Sequence, residues 1–192
     1  MPPYPASALE LGTGPVLPPA DLDIDALEAL AASELGEMAY AYYAGGAEEE
    51  TLLAENVEAW HRLRFHPKVL RDVSVIDTRT TVLGDEVMMP VLVAPTAIQR
   101  LACDEGEKAT ARGAAMAGTL MCLSSLSNTA LEEVASAGGG APQWMQIYIL
   151  RDRARTAAMV ERVAAAGYRA LVLTVDAPVS GGVPRAKTGQ LA

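Results

Sequence analysis

The chain has 192 residues, 51% of them hydrophobic and 20% charged, with a formal net charge of −9. It is too apolar and too weakly charged for a disordered chain, and its length suits one globular domain with a short appendage. An acidic balance with only 5% aromatics argues against nucleic acid as a partner, which needs a clustered basic face or stacking platforms.

No apolar run approaches the roughly 18 residues of a membrane span, and no basic-then-apolar leader opens the chain. Cys103 and Cys122 are the only cysteines, too few for a disulfide scaffold and in keeping with a reducing cytosol. A soluble, cytoplasmic protein is therefore expected. The two cysteines lie far apart with no histidine nearby, so no metal site is expected.

In chain order, residues 1–20 read as a tail: Pro2, Pro3, Pro5, Pro15, Pro18 and Pro19 are half of all prolines present. Residues 21–84 read as an entry segment. From Asp21 the leucines Leu22, Leu27, Leu30 and Leu35 predict a helix that runs through Tyr40–Tyr43 and stops at Gly45-Gly46. A second, acidic helix is expected over Glu48–Arg62, followed by extended pieces at Arg64–Leu70 and Thr80–Leu83. Half of the acidic side chains fall in residues 1–61, which contain no Lys or Arg. A solvated helix surface accounts for them.

From residue 85 to 178 the pattern becomes strand–helix repeats of about 26 residues. Strands are expected at Pro90–Ala94, Thr119–Ser124, Gln143–Tyr148 and Ala170–Val175. Helices are expected at Gly106–Gly118, Ala130–Ser136 and Arg153–Ala166. Near-continuous apolar strands flanked by helices imply a parallel sheet in an α/β fold. No glycine-rich dinucleotide fingerprint follows a strand, and no phosphate loop of the Gly-Lys-Ser/Thr type occurs. The other option is a TIM-type (β/α)8 barrel, of which four β/α units are expected here. In such barrels the chemistry sits at the C-terminal strand ends. Those ends carry Ala94-Pro95-Thr96-Ala97, Ser124-Ser125, Gln146 with Tyr148, and Thr174 with Asp176. Four polar ends on one rim read as a ligand site.

The set Tyr42-Tyr43-Ala-Gly-Gly-Ala47, Ala94-Pro95-Thr96-Ala97, Leu123-Ser124-Ser125, Gln146-Ile-Tyr148 and Thr174-Val-Asp176-Ala-Pro178 resembles the FMN-dependent 2-hydroxy acid oxidising enzymes, a family that includes glycolate oxidase and lactate oxidase. The resemblance covers about Asp21 to Pro178 and matches the first half of an eight-unit FMN barrel. It implies a flavin cofactor, FMN, and a small 2-hydroxy acid substrate. By this resemblance Ser124, Gln146 and Thr174 supply side chains to the flavin ring, and the backbone of Pro95, Thr96 and Ala97 lies against it. Tyr42 would donate to the substrate carboxylate, and Tyr148 would contact the reacting oxygen. Asp176 would hydrogen-bond a catalytic histidine and steady its imidazolium.

Each residue also has a local reading. Ser124 and Thr174 can bond a neighbouring carbonyl, the tyrosines can simply pack, and Asp176 can serve a turn. Gln146 is harder to place locally, because an amide in an apolar strand needs a buried partner.

No histidine follows His66, so the family's base, its phosphate-binding loops and its flavin lysine are expected to be missing. Where the family has a carboxylate-binding arginine after the Thr-Val-Asp motif, the chain has Val183, and Arg185 comes two positions late. Residues 179–192 therefore read as a divergent tail, as a shifted or early-ended reading frame would produce. The 192-residue chain is expected to be inactive. Two rival readings stand beside it. One is a half-barrel that pairs through its exposed fourth strand as a homo-oligomer. The other is a different FMN-barrel chemistry such as isoprenoid diphosphate isomerisation.

Overall fold

The computed structural model describes residues 24–176. The proline-rich tail, the start of the first helix at Asp21, Pro178 and the divergent tail lie outside them. Residues 24–45 fall in one compact unit and residues 46–176 in a second.

The first unit differs from the single helix expected. Gly36 interrupts it, leaving α1 (Ile24–Glu34) and α2 (Glu37–Ala44). Glycine is among the weakest helix formers, and Gly36 takes an extended backbone at the start of α2. The stop at Gly45 matches expectation, its N–H capping the Ala41 carbonyl.

The second unit opens with α3 (Thr51–Arg62). It starts later than expected because Glu48 and Glu50 both hold positive φ, which breaks the helical path. The extended piece expected at Arg64–Leu70 forms no strand. Among the described residues it finds no partner strand to satisfy its backbone, and all its residues are exposed. The strand expected near Thr80 is present as β1 (Thr80–Val82), paired antiparallel with β2 (Asp85–Val87), which the sequence pattern did not indicate. The turn between them is Leu83-Gly84, with φ of 49° and 89°. Positive φ at both central residues is the requirement of a tight hairpin turn.

Beyond the hairpin comes the parallel sheet, in the order β3 (Met121–Leu123), β4 (Gln143–Ile147), β5 (Ala170–Leu173). Met121 lies opposite Gln143, and Ile147 opposite Leu173. The connections are α4 (Gly106–Met116), which precedes β3, then α5 (Leu131–Ala137) and α6 (Arg153–Ala165). The expected strand at Pro90–Ala94 is reduced to a single parallel bridge, Val93 to Met121. Two prolines explain this: Pro90 has no N–H to give, and Pro95 limits the residue before it.

Strand alternation divides the sheet into two faces. Met121, Leu123, Met145 and Ile147 point to the helices and form the core with Ala111, Ala114, Leu131, Val134 and Val163. Ala111 and Ala114 let α4 approach closely. Cys122, Ser124, Trp144, Gln146, Val172 and Thr174 share the other face. Asp152 starts α6 by accepting the N–H groups of Ala154 and Arg155, an ordinary N-cap. The hairpin lies at the N-terminal strand ends. There Asp85, itself buried, pairs with Arg169 at 3.1 Å, and the Met88 N–H reaches the Gly118 carbonyl at 2.8 Å. The hairpin thus sits at the end of the sheet opposite the C-terminal strand ends.

Candidate flavin site at the strand ends

At the C-terminal ends of β3, β4 and β5, one side chain from each strand joins a hydrogen-bonded row. Gln146 is 3% exposed. Its Oε1 accepts the Ser125 N–H at 3.0 Å, the Ser125 hydroxyl at 3.2 Å and, at 3.5 Å, the Ser124 hydroxyl. Its Nε2 donates to the Thr174 Oγ1 at 2.9 Å. Ser124, also buried, accepts the Leu126 N–H at 3.1 Å. The amide therefore has the partners that its position in an apolar strand demands: chiefly Ser125, together with Thr174 and, more distantly, Ser124, the other two residues expected at the ring. The row comprises hydroxyl, amide and hydroxyl on a common face. Two residues earlier on that face, the buried Trp144 Nε1–H has no hydrogen-bond partner among the described residues. Such a mixed set of donors and acceptors fits the edge of a planar heterocycle such as flavin.

Beside the row, Cys122 is buried, and its burial pushes the thiol up to about 11. It is a neutral packing group at physiological pH, as expected for a strand cysteine. Cys103 is exposed in a loop.

Pro95, Thr96 and Ala97 form the turn that follows Val93. Pro95 and Thr96 are exposed and Ala97 is half-buried. The Thr96 carbonyl accepts the Gln99 Nε2–H at 3.3 Å. Tyr148 follows β4 directly and is half-buried, while Asp176, three residues past β5, is exposed. Tyr42 belongs to α2, in the other unit, where its ring meets Tyr43 edge-on at 5.2 Å between centroids. The structure thus joins Ser124, Gln146 and Thr174 in one network, but it does not bring Tyr148 or Asp176 into that network.

Ser125, named from sequence only as part of the Ser124-Ser125 strand end, gives Gln146 two of its bonds, and Glu107 was not singled out at all. Glu107, on the first turn of α4, is 0% exposed. Its burial acts to raise the carboxyl, but hydrogen bonds from Thr129 and the backbone outweigh that and hold it below its ordinary range. Glu107 was masked by its place in the chain, because an acid in the first turn of a helix is commonplace. A cleft of about 310 Å³ opens on the helix side of the loop after β3, lined by Ser124, Ser125, Thr129, Met145, Met159 and Arg162.

Parallel strands alternating with helices, with a polar row at the C-terminal strand ends, define an α/β arrangement of the barrel-forming class. The chain belongs to the FMN-dependent dehydrogenase family, whose profile matches residues 31–191. That match runs past Pro178, where the resemblance read from motifs ended. Glycolate oxidase 1 from Zea mays is 51% identical over 154 residues, 80% of this chain and 42% of the relative. L-lactate oxidase from a Nostoc species is 52% identical over 157 residues, 80% of this chain and 43% of the relative. The flavin-binding domain of baker's yeast flavocytochrome b2 superposes with a TM-score of 0.85 at 36% identity, over 89% of this chain and 45% of that one. The chain thus spans under half the length of these relatives. Among the described residues no helix is long and apolar enough to cross a membrane.

Proposed function

We propose that this chain carries the flavin-ring and substrate-facing part of an enzyme that oxidises a small 2-hydroxy acid to the 2-oxo acid with FMN. In this reading residues 85–178 are the first four β/α units of an eight-unit barrel, entered through residues 21–84. The observation that carries it is the buried Gln146 amide, bonded to Ser125 on one side and Thr174 on the other, in a chain of an FMN-dependent family. The glycolate and lactate oxidase relatives favour hydroxy acid oxidation over other FMN chemistry.

Ser124, Gln146 and Thr174 would hold the ring edge, with the backbone of Pro95, Thr96 and Ala97 against its face. The chemistry that bound flavin supplies is acceptance of two electrons from the carbon bearing the hydroxyl. Tyr42 donates a hydrogen bond to the substrate carboxylate, and Tyr148 contacts the hydroxyl oxygen. Asp176 accepts from the imidazole that removes the hydroxyl proton. This chain holds two histidines, His61 and His66, both exposed in the entry segment. Neither sits at a strand end, so the base is not among these residues. On this reading the 192-residue chain by itself does not turn over substrate.

The test is incubation of the chain with FMN, removal of free ligand, and addition of lactate or glycolate under anaerobic conditions. A retained flavin band that substrate does not bleach is expected. Bleaching by either acid would overturn the assignment of an absent base.

A pairing reading has its own support. Trp60, Phe65, Leu171 and Leu173 are exposed, Phe65 fully. Apolar surface of this kind, on α3, the segment after it and β5, favours a homo-oligomer. Sedimentation velocity across a concentration series distinguishes self-association from a lasting monomer.

A further inference from the structure

We infer that Glu107 is a positioning residue for the flavin platform, keying the turn at Pro95–Ala97 to the loop after β3 through its buried carboxylate. The inference rests on the reading of Pro95, Thr96 and Ala97 as ring contacts.

Glu107 stands where α4 meets both loops. Its Oε1 accepts the Gln99 N–H at 3.0 Å and the Asn128 N–H at 3.3 Å, and its Oε2 accepts the Thr129 hydroxyl at 2.6 Å. One side chain thereby fixes two segments that no strand joins at this point. The segments also bond directly: the Ile98 N–H reaches the Leu126 carbonyl at 3.2 Å, and the Arg100 N–H reaches the Asn128 Oδ1 at 3.2 Å.

From Gln99 the link continues to the turn itself. The Gln99 side chain donates to the Thr96 carbonyl at 3.3 Å and accepts the Thr110 hydroxyl at 2.6 Å. The peptide leaving Thr96 is therefore held from α4, through Gln99. Between the two lies Ile98, at φ 56°. A β-branched residue keeps a left-handed backbone only where its surroundings over-determine it. The peptide N–H that follows Ile98 is the one Glu107 receives. Gly106 completes the junction, since a Cβ there would lie 2.5 Å from the Arg100 Cγ.

An ionised acid is suited to this place because it accepts at both oxygens and donates at neither. Two backbone N–H groups converge on Oε1 and a hydroxyl meets Oε2, so an amide of the same shape keeps all three bonds only by turning that hydroxyl into an acceptor, and it gives up the charge that strengthens them. Glu107→Gln is thus a weakening change at nearly constant volume.

The experiment uses the full 192-residue chain and lumiflavin, the ring without a phosphate, with binding read by fluorescence quenching. Glu107→Gln is expected to weaken binding roughly tenfold, the equivalent of one hydrogen bond to a charged group. Thr129→Val, which removes one donor, is expected to weaken it less, and Thr129→Ser is expected to restore it. Hydrogen exchange should quicken in Glu107→Gln within residues 94–101 and 124–130 only. If Glu107→Gln fails to fold, the pair Thr129→Val and Thr129→Ser decides. Binding by Thr129→Val as tight as wild type, or exchange raised through the whole sheet, would overturn the inference. If the wild-type chain takes up no lumiflavin, the flavin reading fails. Exchange then decides the latch alone: local quickening upholds Glu107 as the residue that positions these loops, and uniform exchange refutes it.

Discussion

Gln146 illustrates how much a single residue can carry. An amide in an apolar strand is costly unless every polar atom finds a partner, and here the partners stand on the two flanking strands. Gln146→Leu would strand the Ser125 N–H and free the Thr174 hydroxyl. A loss of about 1–3 kcal/mol in urea-unfolding stability is expected, because orphaned buried donors cost that much. Glu107 makes a second prediction, in pH. Its carboxyl titrates below the ordinary value near 4.5 in the folded chain. Its contribution is therefore present above that value and is lost as pH falls through the depressed one. Glu107→Gln should then lose less stability on acidification below pH 5 than wild type does, measured by urea midpoints across pH. Gln146 was legible in sequence because polarity breaks the strand's apolar run. Glu107 was not, since nothing local separates a buried latch from a solvated helix start.

At the scale of elements, the apolar pattern located α4, α5, α6, β3 and β4, because each buries an apolar face in one core, and it located β5 by its unbroken apolar run although Leu171 and Leu173 stay exposed. Legibility failed where structure depends on a partner elsewhere. The stretch around Val93 has a strand's composition, yet two prolines leave it one bridge. The stretch at Arg64–Leu70 has no partner strand among the described residues and stays irregular. The β1–β2 hairpin was half-seen because Leu83, in its turn, is a poor signal for positive φ. That mismatch predicts a gain: Leu83 is 78% exposed with φ 49°, and Leu83→Asn should stabilise the chain by about 1 kcal/mol by easing left-handed strain. A rise in melting temperature checks it. Core packing gives the opposite sign. Leu123 is fully buried on the helix side of β3, so Leu123→Ala should cost about 2–5 kcal/mol, read from the same unfolding curves.

For the whole molecule, family membership and the under-half share of its relatives' length bear on each other. The described residues provide a sheet closed by a hairpin at its N-terminal end and bearing a polar row at its C-terminal end. A wide apolar surface over α3 and the segment after it stays exposed. The motifs at the strand ends were enough to identify the family, because the chemistry requires particular groups at particular ends. The sequence alone could not show that Ser124, Gln146 and Thr174 would bond to one another, since that depends on strand register. The central claim is that this row, held by its own hydrogen bonds, is a seat for the flavin ring. The most direct measurement is a lumiflavin titration of the wild-type 192-residue chain beside Gln146→Leu, with circular dichroism confirming that both are folded. Saturable binding by wild type that is lost in Gln146→Leu is the predicted result. A folded wild-type chain that binds no flavin, or a Gln146→Leu chain that binds it equally well, would contradict the claim.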